Sequence, residues 1–140
     1  MLYLTFQVGD AGYALVADRI VEILPLLDIK KIRGAGHEVA GLVRYRGGFV
    51  PVVDLAALET DQGATVRMGT RIILIEVGVE ERRELVGLIA ESATETMRCE
   101  IEDFAPFATG PRGLVQRLDP DRLLPPHLIA ELFPAREVAA

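Results

Sequence analysis

Residues 41–55 read GLVRYRGGFVPVVDL, with an apolar, β-branched run on each side of a glycine pair. Glycine adopts positive φ without a Cβ clash, and a two-residue hairpin turn needs positive φ. The stretch therefore predicts a β-hairpin that turns at Gly47 and Gly48. This turn pairs Arg46 with Phe49, Arg44 with Pro51 and Val43 with Val52.

The predicted pairing divides the apolar side chains between the two faces of the hairpin, because cross-strand partners share a face. One face carries Val43, Tyr45, Val50 and Val52. The other carries Leu42, Phe49 and Val53, with Arg44 and Arg46 beside them. A hairpin that is apolar on both faces needs cover on both. Arginines among such residues favour recognition over core packing.

Composition limits the classes of function. The chain has 140 residues, half of them hydrophobic, which predicts one folded domain with a proper core. Its net charge of −6 argues against non-specific binding of nucleic acid, which needs a basic face. No apolar run has the length of a membrane span. The single cysteine, Cys99, excludes an internal disulfide, and we expect a cytoplasmic protein.

The rest of the chain predicts nine or ten short strands at hairpin spacing, which is typical of an all-β barrel or sandwich. An exposed linker is expected at 59–69 and a loop at 104–113, where glycine and proline are frequent. The linker separates two β subdomains at about 15–60 and 70–120, and a short C-terminal helix is expected at 125–134. Within the second subdomain, 84–89 and 93–99 are predicted as separate strands.

No set of residues converges on catalysis or metal binding. The two histidines and Cys99 are scattered, so no metal site is predicted. Asp54 at a strand end is open to two interpretations. It could be catalytic, but an aspartate there more often accepts hydrogen bonds from the amides of the next turn. Glu22 and Arg46 could each be ordinary surface residues, yet together with the apolar positions they favour a binding surface.

Several motifs resemble the CheW-like domain family, the coupling modules of bacterial chemosensory arrays. Residues 39–47 followed by 50–55 are similar to the family signature, in which an asparagine-leucine-arginine-glycine turn precedes proline-valine-isoleucine-aspartate-leucine. Residues 20–23 resemble its valine-x-glutamate-isoleucine strand, and 6–9 with 13–15 resemble its opening hairpin. Residues 86–89 resemble a strand of the second half.

The resemblance implies two interlocked SH3-like β-barrels, with strands exchanged between them and the hairpin as their shared wall. It also implies no enzymatic activity and no cofactor. Such proteins couple the cytoplasmic tip of a methyl-accepting chemoreceptor to the regulatory domain of a CheA-type histidine kinase. They are recruited to membrane-associated receptor arrays without inserting into the bilayer. The implied receptor groove consists of Ile20, Glu22, Gly41, Arg46 and Ile72.

The chain departs from the family in ways that bear on its partners. Arg44 replaces the signature asparagine and is a candidate determinant of partner specificity. The segment 104–114 is short, so the second barrel is expected to be open or to lack a strand. An open barrel leaves an unpaired edge that can pair with another chain, which makes a homo-oligomer a hypothesis.

Two hypotheses of function follow from the resemblance. The first is the receptor–kinase adaptor. For this hypothesis, the chain more specifically resembles the coupling proteins of Wsp-type surface-sensing pathways, which control cyclic-di-GMP. Those proteins have a tyrosine at the position of Tyr45 and a run like 93–99. The alternative is a regulatory module that binds the kinase without coupling it to a receptor.

Overall fold

The computed structural model describes residues 1–26, 28–60, 69–98, 107–110 and 113–134. The linker predicted at 59–69 begins inside a helix, and residues 61–68 and Cys99 lie outside the described residues. Within those ranges the chain forms nine strands, two short helices and a 3-10 turn at Ala17–Arg19. The strands are β1 (Leu2–Val8), β2 (Ala11–Val16), β3 (Ile20–Pro25), β4 (Val39–Tyr45), β5 (Gly48–Asp54), β6 (Arg71–Val79), β7 (Arg82–Arg98), β8 (Phe107–Gly110) and β9 (Gly113–Arg117). The helices are α1 (Leu55–Thr60) and α2 (Pro126–Leu132).

Two five-stranded sheets share the long strand β7. The first sheet has the order β4-β5-β7-β6-β3, and its β7 portion ends near Ala90. The second has the order β7-β1-β2-β9-β8, and its β7 portion begins near Glu91. The β5–β7 and β2–β9 pairings are parallel, and the other pairings are antiparallel. The prediction of an all-β fold is confirmed.

Strand β7 corrects two predictions. The strands expected at 84–89 and 93–99 are one strand of 17 residues. The segment between them contains no glycine or proline, and Ala90 and Ala93 remain buried, so nothing forces the backbone out of the sheet. The hairpin β4–β5 is not the shared wall either, because β4 and β5 both belong to the first sheet.

A strand is present where one was expected to be missing. β8 pairs with β9 in antiparallel register from Phe107 opposite Gln116 to Gly110 opposite Gly113. The frequent glycine and proline residues predicted a loop, but four residues between them are enough for a short strand. Among the described residues β8 pairs only with β9, so it ends the sheet. The edge hypothesis of self-association is untested.

Two hydrophobic cores lie on opposite sides of β5. Val53 belongs to the larger core, together with Leu4, Phe6, Ile73, Leu88 and Leu128 of other elements. Val52 belongs to the smaller core, together with Val43, Val50, Ile72, Leu74 and Ile89. The expected cover on both sides is therefore present for the C-terminal half of β5. The N-terminal end of β5 differs, because Phe49 is exposed.

An ion pair between Arg19 and Asp121 connects the 3-10 turn near the start of the domain with the turn after β9. The Arg19 guanidinium donates two hydrogen bonds to the Asp121 carboxylate, at 2.8 and 3.1 Å, and a third to the Glu76 carbonyl oxygen at 3.0 Å. The hydrogen bond from Arg19 lowers the pKa of Asp121. This contact fastens the turn after β9 to the 3-10 turn and to β6.

We expect the Arg19–Asp121 pair to make a small part of the stability depend on pH. The pKa of Asp121 is lower in the folded state than its ordinary value of 3.8, so the stabilisation is present above that value and is lost as pH falls through the folded pKa. Because the carboxylate is half exposed, the pair contributes less than about 1 kcal/mol. Urea unfolding at neutral and acidic pH measures it. Asp121→Asn is expected to reduce the acid loss, and an unchanged acid loss in this variant contradicts the assignment.

Candidate functional site

The turn of the β4–β5 hairpin lies one residue earlier than predicted. Tyr45 pairs with Gly48, so Arg46 and Gly47 form the turn, with φ of +47° and +81°. Positive φ at both central residues is the geometry of a type I′ turn, which matches the twist of the flanking strands. The predicted turn at Gly47 and Gly48 is therefore wrong by one position.

The correction changes the cross-strand partners but not the faces. Arg44 pairs with Phe49, whereas the sequence predicted Arg46 there, and Val43 pairs with Val50. Moving a turn by one residue shifts the pairing by two, and a shift of two keeps each side chain on its face. The predicted inner face is confirmed, because Val43 and Val50 are buried in the smaller core and Tyr45 packs against it.

Two arginine–aromatic contacts shape the hairpin tip. The Arg44 guanidinium lies 5.3 Å from the centroid of the Phe49 ring, and the Arg46 guanidinium lies 5.3 Å from the centroid of the Tyr45 ring. Both arginines are exposed. Each contact holds a cation over an aromatic face, an attraction of about 0.5–1 kcal/mol at exposed sites. The tip therefore presents two oriented guanidinium groups to solvent.

Strand β3 carries two of the predicted site residues at the end of the first sheet. Ile20 and Glu22 are half-buried, whereas Val21 and Ile23 between and after them are exposed by 44% and 41%. Among the described strands, β3 pairs only with β6. The residues implied by the resemblance thus face partly inward, and the alternate residues form the apolar outer surface.

Gly41 is buried in β4 at a φ of +143°. Lys30 crosses directly over it, donating its N–H to the Leu42 carbonyl at 2.8 Å and accepting from the Leu42 N–H at 2.7 Å. A Cβ at position 41 would overlap the Lys30 carbonyl oxygen and lie 2.8 Å from Ile29 Cγ2. Glycine is required here because the connection between β3 and β4 passes against its backbone.

Ile72 is fully buried in the smaller core. It faces Gly87 of β7, where an added Cβ would lie only 2.9 Å from Ile72 Cγ2. Glycine at position 87 therefore allows β7 to approach the Ile72 side chain closely. Since the Ile72 side chain has no exposed surface, it supports the sheet from within and does not offer a contact to a partner.

The register of the first sheet shows which predicted residues come together. Glu22 pairs with Leu74, Leu74 with Gly87, Gly87 with Val52, and Val52 with Gly41, which places Glu22 and Gly41 in one cross-strand row. Ile20 lies close to this row. Ile72 lies in the row of Asp54 and Ile89. Arg46 lies beyond Gly48, at the other end of β5 from Asp54. At 3.3 Å per residue, this places Arg46 about 20 Å from the row of Asp54 and Ile72. The five residues therefore do not form one continuous patch.

The fold and these positions can be compared with known proteins. The sequence model of the CheW-like domain family matches residues 2–124. The chain belongs to the CheW-like domain family. It is 22% identical over 104 residues to the chemotaxis protein CheW of Klebsiella aerogenes, an alignment covering 74% of this chain and 60% of that protein.

A solved structure has the same fold. The scaffolding protein TtCheW from Thermoanaerobacter tengcongensis superposes with a TM-score of 0.78 at 18% identity, covering 89% of this chain and 87% of that chain. This likeness confirms the CheW-like fold that the sequence predicted. The alignment with the Klebsiella aerogenes protein spans only 60% of that relative's length.

CheW-like domains are non-catalytic scaffold and adaptor modules, and the one carboxylate considered for catalysis fits this description. The Asp54 Oδ1 atom accepts hydrogen bonds from the N–H groups of Ala56 at 3.0 Å and Ala57 at 3.3 Å. Asp54 therefore caps the first turn of α1, as the more common interpretation predicted. In the described ranges, no group of three or more histidine, cysteine, aspartate or glutamate residues could hold a metal ion.

Sequence reasoning missed the exposed apolar residues of this CheW-like domain. Val21 and Ile23 on β3, Phe49 at the hairpin tip, and Phe107 and Leu114 on β8 and β9 are all more than one-third exposed. The signal was present in 20–24, where apolar residues occupy both strand faces and one face has to be outward.

No helix among the described residues is both long and apolar enough to cross a membrane.

Proposed function

We propose that this chain is an adaptor that couples the cytoplasmic tip of a methyl-accepting chemoreceptor to a CheA-type histidine kinase. The observation that carries the proposal is the family match over residues 2–124. The named relatives support it, since one is a chemotaxis protein CheW and the other a scaffolding protein. In this proposal the chain works in the cytoplasm, at membrane-associated receptor arrays.

We infer that the receptor contact uses the surface-accessible members of the implied groove. Ile20 and Glu22 are half-buried on the end strand β3, and Arg46 is exposed at the hairpin tip. Gly41 and Ile72 are buried, so in this proposal they shape the groove from beneath. An amphipathic receptor helix would place apolar residues against β3, the helix-in-groove mode of recognition. Arg44, beside the tip, would adjust partner choice.

Arg46→Glu is expected to weaken binding of a receptor hairpin-tip fragment by about tenfold, because it reverses the charge of an exposed guanidinium in the proposed contact. The fold is expected to survive, since the side chain is exposed and the turn is unchanged. Isothermal titration measures the affinity, and a thermal melt checks the fold. Arg122→Glu reverses a cation that is 89% exposed in the turn after β9, and it serves as the matched control. Equal affinity of the two variants would contradict the assignment of Arg46.

A reconstitution separates the adaptor from the alternative, a kinase-binding module without receptor coupling. Arg44 favours the alternative, because an exposed guanidinium over Phe49 stands where the family signature has asparagine. Purified receptor, kinase and this chain are mixed, and kinase autophosphorylation is followed. The adaptor increases receptor control of the kinase. A decrease in receptor control would favour the kinase-binding module without receptor coupling.

The finer proposal is a Wsp-type coupling role that sets cyclic-di-GMP output. It is supported by Tyr45 in the turn sequence and by the run 93–99. Deleting the gene in its host is expected to change the cyclic-di-GMP level while swimming is unchanged. A swimming defect at constant cyclic-di-GMP would point to motility control and overturn this subtype.

A further inference from the structure

A cleft of about 920 Å³ separates the outer face of the β4–β5 hairpin from the C-terminal end of α2. The hairpin contributes Phe49 and Pro51, α2 contributes Leu132, and Ile32 and Leu85 come from the loop before β4 and from β7. Phe49 and Pro51 alternate with Val50 and Val52 of the smaller core and so lie on the opposite face of β5, whereas Tyr45, Val50 and Leu85, which belong to or pack against that core, also line the cleft. The cleft does not include Ile20, Glu22 or Ile72, so apart from Arg46 it is separate from the proposed receptor groove.

The apolar part of the cleft remains open to solvent. Phe49 is 54% exposed and Ile32 is 38% exposed. The packing of the hairpin does not require either residue, because the buried side chains of β4 and β5 point to the cores. An exposed phenylalanine and isoleucine in one cleft, rimmed by polar side chains, is typical of a site that binds an apolar group of a partner.

The charged side chains around the cleft differ in whether they already bind another group of the protein. Arg33 and Arg46 are exposed and form no ion pair with a residue in the described part of the chain, and the Arg83 guanidinium is 3.9 Å from Glu76. The two carboxylates of the cleft are engaged: Glu84 with the Arg82 guanidinium at 2.8 Å, and Glu131 with the Gly36 N–H at 3.1 Å. The cleft therefore offers guanidinium donors rather than acceptors.

The local charge contrasts with the charge of the whole chain. Residues 30–33, KKIR, lead into the cleft and add exposed cations to a protein whose net charge is −6. At physiological ionic strength, salt screens the charges of exposed acidic groups that lie more than about 8 Å away. An occupant of the cleft therefore responds mainly to the arginines beside it. Arginine forks bind carboxylates in two-point contacts. Charge complementarity thus selects an anionic occupant with apolar side chains.

We propose that this cleft docks an acidic, apolar peptide segment of another protein, with its apolar side chains on Phe49 and Ile32 and its carboxylates at Arg33 and Arg83. The inference does not depend on the receptor–kinase proposal, because the residues that it uses, Phe49, Ile32, Arg33 and Arg83, are not members of the implied receptor groove. A second copy of this chain and a basic or uncharged segment are the competing occupants.

Selection from random peptides of about twelve residues displayed on yeast, against the full chain, tests the proposal. Enriched peptides are expected to combine glutamate or aspartate with large apolar residues. Their affinity, measured by fluorescence anisotropy, is expected to fall about tenfold in Arg33→Glu/Arg83→Glu and severalfold in Phe49→Ser. The control Arg98→Glu/Arg122→Glu reverses two exposed cations outside the cleft and is expected to bind normally.

Several results would overturn the proposal. They are the absence of enriched peptides, enrichment of basic or uncharged peptides, and binding that survives the cleft variants while their thermal melts stay normal. Light scattering that shows a dimer abolished by Arg33→Glu/Arg83→Glu would assign the cleft to a second copy of this chain instead. Arg33→Glu/Arg83→Glu leaves Arg46 and the contact between Arg44 and Phe49 unchanged, so a failure of this variant does not bear on receptor binding.

Discussion

Gly41→Ala is expected to lower the free energy of unfolding by about 3–5 kcal/mol, the largest loss that we expect from a single added methyl group. The strained backbone of a non-glycine residue at a φ of +143° accounts for about 1–3 kcal/mol. The new Cβ overlaps the Lys30 carbonyl, so the two hydrogen bonds between Lys30 and Leu42 are lost as well, at about 1 kcal/mol each. Urea unfolding followed by circular dichroism measures the change.

Gly34→Ala is the matched control. Gly34 also has positive φ, at +81°, but nothing lies within 4 Å of an added Cβ. This variant is expected to lose only about 1 kcal/mol, from backbone strain alone. If the two variants lose the same stability, the crossing of Lys30 over Gly41 is not what requires glycine. A binding defect of Gly41→Ala must be judged against this loss before it is assigned to a receptor contact.

Ile72→Ala is expected to lower the free energy of unfolding by about 3 kcal/mol, because it removes buried methyl and methylene groups from the smaller core and leaves a cavity. The Ile72 side chain on β6 is 0% exposed and packs against Gly87 of the neighbouring strand β7. Ile72→Val removes one methylene group and is expected to cost about 1 kcal/mol. The measurement is the same urea unfolding experiment.

The exposed Ile23 on the neighbouring strand provides the comparison for Ile72. Ile23→Ala removes the same atoms from a side chain that is 41% exposed, and its loss is expected to be under about 1 kcal/mol. Similar losses for the two variants would mean that Ile72 is not fully packed. If Ile72→Ala keeps its stability but fails to bind a receptor fragment, Ile72 is a contact residue and its burial changes on binding.

Local patterns predicted the strands and the faces of the hairpin, since alternation with period two depends only on neighbouring residues. The turn was misplaced because a turn at Gly47 and Gly48 and a turn at Arg46 and Gly47 place every side chain on the same face of the hairpin. The choice of Arg46 and Gly47 depends on cross-strand partners such as Arg44 and Phe49. The continuity of β7 was missed for a similar reason, because its second half is held by β1 from the far end of the sequence.

The candidate site was less accessible to sequence reasoning than the fold. The resemblance supplied its residues one at a time, but it carried no information on their depth or on the distance between them. The burial of Ile72 depends on Gly87 and on Val52, which come from two other strands. The cleft beside Phe49 depends on α2 returning to the hairpin. Neither arrangement has a signature within a short window of sequence.

Strand β7 has a consequence for the order in which a newly synthesised chain can mature. β1 leaves the ribosome before the other strands of this domain, yet of its two sheet neighbours only β2 follows it at once. The other neighbour is the C-terminal half of β7, which is translated after β3, β4, β5 and β6. Until then one edge of β1 lacks its partner strand, and Leu4 and Phe6 lack the core contributions of Ala93 and of the residues that follow β7. The nascent chain therefore carries a hairpin with one unpaired edge through most of the synthesis of this domain, and the second sheet, which also needs β8 and β9, is completed after the first has been translated.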